Sequence, residues 1–250
     1  MMSTAPIVNQ NAHKTLVRQS GFFASLPPEL QAEMAEKFSL EEWKKSNYID
    51  PAILTTRFYT LIDGQLEMKR SNPDSGREVT LDMIYPGDSF DVVTLLDGKP
   101  HDILLNPLTD LKLMSVPIDI MRKWLWTYPE INQQLLPYLA EKIRHHENQS
   151  TSFALHDVST RLSRIILNHI NRINTFEGHQ QDAHKDHLIN GLSDDTLARM
   201  VGSVRQVINK QLQHWKSQGI LQKKRNQILI KDLDALYKEA QYTKSSLKTR

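Results

Sequence analysis

Arg205, Gln206, Asn209, Lys210 and Gln213 stand close together near the C-terminal end of the chain. These residue types pair with base edges: Arg and Lys donate to guanine O6 and N7, and Asn and Gln bond adenine N6 and N7. A little further on, Lys223, Lys224 and Arg225 supply cations suited to phosphate, a contact that positions a duplex without reading its sequence. Other side chains capable of chemistry are scattered. The chain has no cysteine, which removes disulfides, thiolate metal sites, cysteine-ligated clusters and cysteine nucleophiles together. His179, His184 and His187, with Asp182 and Asp186, carry metal-ligand chemistry, but their spacing fits no rigid pair of helices and polar loops collect such residues, so no metal site is expected. There is no glycine-rich phosphate loop, nucleophile motif or carboxylate cluster with a credible base, so no catalytic residues and no enzyme are expected.

The base-reading set needs a rigid element to present it, and the flanking residues define one. Ser193, followed by Asp194 and Asp195, is a helix start, with a capping hydroxyl and two carboxylates at the positive end of the dipole. Leu197, Met200 and Val201 form the buried face of that helix, Gly202 supplies a tight turn, and Ser203 can cap the next helix. At about 100° per residue, Val204, Val207, Ile208, Gln211, Leu212 and Trp215 fall on one arc. Arg205, Gln206, Asn209, Lys210 and Gln213 fall on the other. After them, Ile220-Leu221, the basic run Lys223-Lys224-Arg225-Asn226-Gln227 and Ile228-Leu229-Ile230 read as strand, basic turn and strand, a wing that sets cations against phosphate. The predicted DNA-contacting set is Ser203, Arg205, Gln206, Asn209, Lys210, Gln213, Lys223, Lys224 and Arg225.

Upstream, the periodicity changes. Leu16, Phe22, Phe23, Leu26, Leu30, Met34 and Phe38 recur at helical spacing around Pro27-Pro28 and read as short helices lidding a sheet. From about Trp43 to Val116 the pattern is short apolar alternations (Leu61, Leu66/Met68, Val79/Leu81/Met83, Phe90/Val92, Ile103/Leu105, Leu111/Leu113) cut by turn residues, the mark of an antiparallel barrel or jelly roll. From Pro129 a long helix begins, with Ile131, Leu135, Leu139 and Ile143 at intervals of four and Phe153 and Val158 further along. Such a stripe needs a partner, and the same helix from a second copy is the simplest one. A further helix spans Arg161 to Ile173, with Leu162, Ile165, Ile166 and Ile170 facing inward, and Thr175 to His187 reads as a loop. The expected fold is α+β: a sensor jelly roll over 16–125, a dimerisation helix over 126–158 and a winged helix-turn-helix over 159–240.

Length and composition agree with two soluble domains: 250 residues, 39% hydrophobic and 24% charged. No run reaches the roughly 20 apolar residues of a membrane span, and the polar N-terminus is no export signal, so a cytoplasmic protein is expected. The net charge of +2 conceals an asymmetry, since residues 194–250 hold 12 Lys and Arg against 5 Asp and Glu. A basic terminal segment is the electrostatic footprint of a polyanion partner.

Taken with Ile62-Asp63-Gly64-Gln65-Leu66, Pro86-Gly87-Asp88 and Val201-Gly202-Ser203-Val204-Arg205, the chain resembles the Crp/Fnr family of bacterial regulators from Phe22 to Leu236. The resemblance implies a cyclic-nucleotide-binding-like sensor, a homodimer, double-stranded DNA as ligand and RNA polymerase as partner. In the family the recognition helix presents an Arg, commonly a Glu next, and a second Arg five residues after the first; Arg205, Gln206 and Lys210 stand at those places, implying a different operator. Members that bind cyclic AMP carry Gly-Glu and Arg-Ser or Arg-Thr in the cassette after Pro-Gly-Asp. Here Asp91-Val92 and His101-Asp102 replace them, and an Asp beside a phosphate is repulsive, so no cyclic-nucleotide binding is expected. The candidate effector pocket is Phe90, Asp91, Val92, Lys99 and His101, with Lys99 as the substitute phosphate ligand and His101 as the haem-ligand candidate. Phe90-Asp91-Val92 and Met114-Ser115-Val116-Pro117-Ile118 also look like the cyanobacterial global nitrogen regulator, whose effector is 2-oxoglutarate, though without an Arg to grip a carboxylate. No cofactor is assigned.

Overall fold

Apolar runs divided by turn residues give two sheets in the first half of the chain, as the spacing of those turns predicts. The computed structural model describes Val17 and residues 21–177, 187–224 and 226–241. A 3-10 turn at Gly21–Phe23 and helix α1 (Pro28–Ala35) lead into β1 (Ser39–Trp43), β2 (Arg57–Asp63), β3 (Leu66–Ser71), β4 (Glu78–Ile84), β5 (Ser89–Phe90), β6 (Leu104–Pro107) and β7 (Leu111–Pro117). One sheet runs β1-β7-β2-β5, and a second runs β4-β3-β6. β7 pairs antiparallel with both β1 and β2. β1 escapes the sequence pattern because Glu41 and Glu42 interrupt its apolar alternation, as suits an edge strand.

The alternation at Phe90 and Val92 does not continue as a strand. Asp91 takes a left-handed backbone (φ +55°), and Val92–Asp97 forms the short helix α2, closed by Gly98 at φ +74°. Phe22, Phe23, Leu26 and Met34 from the N-terminal segment pack with Phe58, Val116 and Trp124 in one core, so this segment covers the sheet as expected.

α3 (Ile118–Thr127) is separated from α4 (Pro129–Leu155) by Tyr128, which is extended because a residue before proline is driven from the helical region. The apolar spacing predicts a long helix running on through Val158. It ends instead at Leu155 because Asp157 caps a new helix, α5 (Val158–Glu177), accepting from the Thr160 N–H at 2.8 Å. Leu162, Ile166 and Ile170 turn inward on α5 as predicted, with Leu167 in place of the expected Ile165. Thr175–Glu177 belong to the helix rather than to a loop, and His187 opens β8 (His187–Asn190), a strand missed in the sequence. His179, Asp182, His184 and Asp186 lie outside the described residues.

Two of the four residues assigned to a dimer seam are spent elsewhere. Ile131 and Leu135 are fully buried in the same core as Phe22 and Trp124, so they have no surface left for a second copy. Leu139 packs partly against that core, whereas Ile143 is 59% exposed and Leu136 64% exposed. The stripe is real, but its first half faces its own subunit.

Two compact units result, one drawn from residues up to Met68 and Met83–Arg144, the other from Lys69–Asp82 and residues from His145 onward. The second holds β8, α6 (Asp194–Val201), α7 (Arg205–Ser217), β9 (Leu221–Lys224), β10 (Gln227–Ile230) and α8 (Leu233–Glu239), with a sheet in the order β8-β10-β9. Among the described residues no helix is long and apolar enough to cross a membrane.

Candidate nucleic-acid interface

The helix pair forms where the sequence places it. Ser193 caps α6, its Oγ accepting from the Thr196 N–H at 3.1 Å, and Asp194 and Asp195 occupy the first turn. Gly202 then turns the chain at φ +67°, and the N–H of Ser203 bonds back to the carbonyl of Ala198 at 2.9 Å. Space as well as φ demands glycine here, because a Cβ at residue 202 would lie 3.0 Å from the Phe153 ring. Ser203 does not cap the next helix as predicted. The capping position falls one residue later, on Val204, whose side chain offers no hydrogen bond.

α7 is anchored by Ile208, Leu212 and Trp215, all fully buried. Val204 and Val207 do not share that face as predicted: they are 50% and 41% exposed. The first turn of α7 therefore extends beyond the helices it packs on. Arg205, Gln206, Lys210 and Gln213 are exposed, and Arg205, Gln206, Asn209 and Lys210 line one open concavity. Arg205 is lightly held by Asp195 at 3.3 Å, an exposed pair of small energetic weight.

Two predicted contact residues turn toward the protein. Asn209 donates to Asp194 Oδ2 at 3.0 Å, and Lys223 Nζ reaches the same oxygen at 2.5 Å. Lys223 and Asp194 keep only 15% and 11% of their side-chain exposure, so this lysine is a structural counter-ion rather than a free phosphate ligand. Asp194 thus ties α6, α7 and the wing together, a role the sequence could not reveal because its partners lie 15 and 29 residues away. The wing turn is tighter than predicted: Lys223, Lys224 and Gln227 lie in the strands, Lys224 is exposed, Asn226 is left-handed at φ +56°, and Arg225 is outside the described residues.

In the cassette after Pro86-Gly87-Asp88 the five predicted residues fall into different environments. Phe90 is 2% exposed and stacks on Tyr59 with centroids 5.7 Å apart, and Val92 belongs to the core. The buried Asp91 carboxylate lies 2.8 Å from His101 Nδ1. Lys99 is exposed, and its N–H bonds Asp97. Arg122, on α3 and unremarked in the sequence, donates to the carbonyls of Leu95 and Thr94 at 2.9 Å each, steadying α2.

A family profile described as a Crp-like helix-turn-helix domain matches residues 160–239. The chain is 26% identical over 229 residues to the CRP-like cAMP-activated global transcriptional regulator of Mycobacterium tuberculosis, spanning 90% of this chain and 98% of that protein. It is 30% identical over 165 residues to the global nitrogen regulator of Synechococcus elongatus, spanning 64% of this chain and 68% of that protein. Among solved structures it resembles FixK2 from Bradyrhizobium japonicum, with a TM-score of 0.69 at 17% identity over 82% of this chain and 98% of that one. A CRP/FNR-family transcriptional regulator from Thermus thermophilus gives a TM-score of 0.63 at 20% identity over 82% of this chain and 99% of that one.

Proposed function

Because the chain belongs to the Crp/Fnr family of DNA-binding transcription regulators, we propose that it acts as a homodimer whose two α7 helices enter major grooves about 34 Å apart, one turn of DNA. The carrying observation is the exposed row Arg205, Gln206 and Lys210 on a helix whose opposite side is fixed by three fully buried side chains. Rigid placement matters because a bidentate pair discriminates between bases only when its donors are held in register. Arg205, Gln206 and Lys210 read bases, Gln213 lies one turn further along, and Asn209 steadies the helix through Asp194. Lys224 and Arg225 meet phosphate. The regulator acts by binding alone, in the cytoplasm, with RNA polymerase as the partner it influences.

The dimer seam in this reading uses the exposed part of α4, where Leu136 and Ile143 stand one heptad apart. The Mycobacterium tuberculosis relative is described as cAMP-activated. That property does not carry over in our reading, because Asp102 stands where a cyclic phosphate would sit and repels it, while the neighbouring His101 is engaged by the buried Asp91 carboxylate. Selection of bound duplexes from a random pool tests the reading. It should enrich two related half-sites centred about 10 base pairs apart. Enrichment of a lone half-site, or of nothing, would contradict it.

A further inference from the structure

We propose that Val204 and Val207 read the 5-methyl group of thymine, beside the bases taken by Arg205, Gln206 and Lys210. The inference rests on the reading of α7 as the recognition helix and adds a second, apolar channel of sequence information to it. Both valines are exposed, at 50% and 41%, and the Val207 N–H donates to the Val204 carbonyl at 3.0 Å. They stand three residues apart, so they are neighbours on the helix surface.

Ile208, Leu212 and Trp215 supply the buried stripe without the two valines. At the capping position a Ser, Thr, Asp or Asn side chain would satisfy a free N–H, and Val204 forgoes that bond. A β-branched apolar side chain left in water at this place gains nothing until something covers it. The opening residues of a recognition helix are the ones nearest the base edges. In the major groove thymine alone offers a methyl group, while its O4 remains for a neighbouring donor. A donor row and an apolar pair side by side therefore fit a half-site in which thymines adjoin the bases bonded by Arg205 and Lys210.

The test starts from the duplex that the 250-residue chain selects and replaces each thymine in turn by deoxyuridine, which removes only the methyl group. One or two replacements per half-site should weaken binding about fourfold each, the worth of one buried methyl. Val204→Ser and Val207→Ser, whose unchanged fold is checked by circular dichroism, should each become indifferent to one of those replacements while still binding the site. Equal binding of thymine and deoxyuridine duplexes, a selected half-site without thymine, or undiminished discrimination by both variants would overturn the proposal. If no duplex is enriched at the outset, the DNA-reading role of α7 fails, an outcome distinct from indifference to the methyl group.

Discussion

At the scale of single residues, Asp194 carries more than its place at a helix start implies. Its Oδ2 receives Asn209 from α7 and Lys223 from β9. Removing the carboxylate leaves the Lys223 ammonium largely buried without its counter-ion, the situation in which breaking a pair costs most. Asp194→Ala should therefore lower stability by about 3 kcal/mol, measured as a fall in the urea midpoint at constant slope; a change typical of a surface site would deny the role. His169 on α5 gives a pH dependence. It is 1% exposed, and burial pushes its pKa down to about 4 from 6.5. The unfolded chain takes up this proton first, so the stability contributed by the neutral ring is complete above about 6.5 and is lost as pH falls toward about 4. The loss should approach 1.4 kcal/mol per pH unit, roughly, in that window. His169→Gln should flatten this slope, and an unaltered slope would assign it to other groups.

At the scale of elements, the turn between α6 and α7 is the most constrained point. Gly202 is left-handed, and an added Cβ would press on Phe153. Gly202→Ala should cost about 1–2 kcal/mol from the backbone alone, read as a lower Tm; an unchanged Tm would show that the turn relaxes freely. The sequence exposes this turn, the Ser193 cap and the Ile208, Leu212 and Trp215 stripe because each is a local pattern. It does not show where the packing partner of a helix ends, and so the periodicity places Val204 and Val207 on the buried side although their turn extends past its neighbours. The same limit governs α4, whose stripe is visible while the identity of what covers it is not: Ile131 and Leu135 serve their own core. Lys223 looks free until a carboxylate 29 residues away folds onto it. The break at Asp157 is legible, since an Asp ahead of a helical run is a capping signal, but apolar residues on both sides suggest continuity.

At the scale of the whole molecule, the proposed regulator joins a jelly roll to a winged helix that reads DNA as a pair. Replacing Leu136 and Ile143 by Glu should give a monomer with little specific affinity while leaving the subunit core intact, since both are exposed; an unchanged mass in light scattering would remove α4 from the interface. In the proposed complex α7 reads bases while the wing holds phosphate. This division of roles is tested most directly by measuring the affinity of the full chain for the selected site, its single-base variants and a range of salt concentrations, with Arg205→Ala and Lys224→Ala side by side. Arg205→Ala should cost about 1–3 kcal/mol on the selected site and relax the preference at one position, whereas Lys224→Ala should weaken every sequence alike and reduce the salt slope by about 1. Identical behaviour of the two variants, or an Arg205→Ala protein with its base preference intact, would contradict the account.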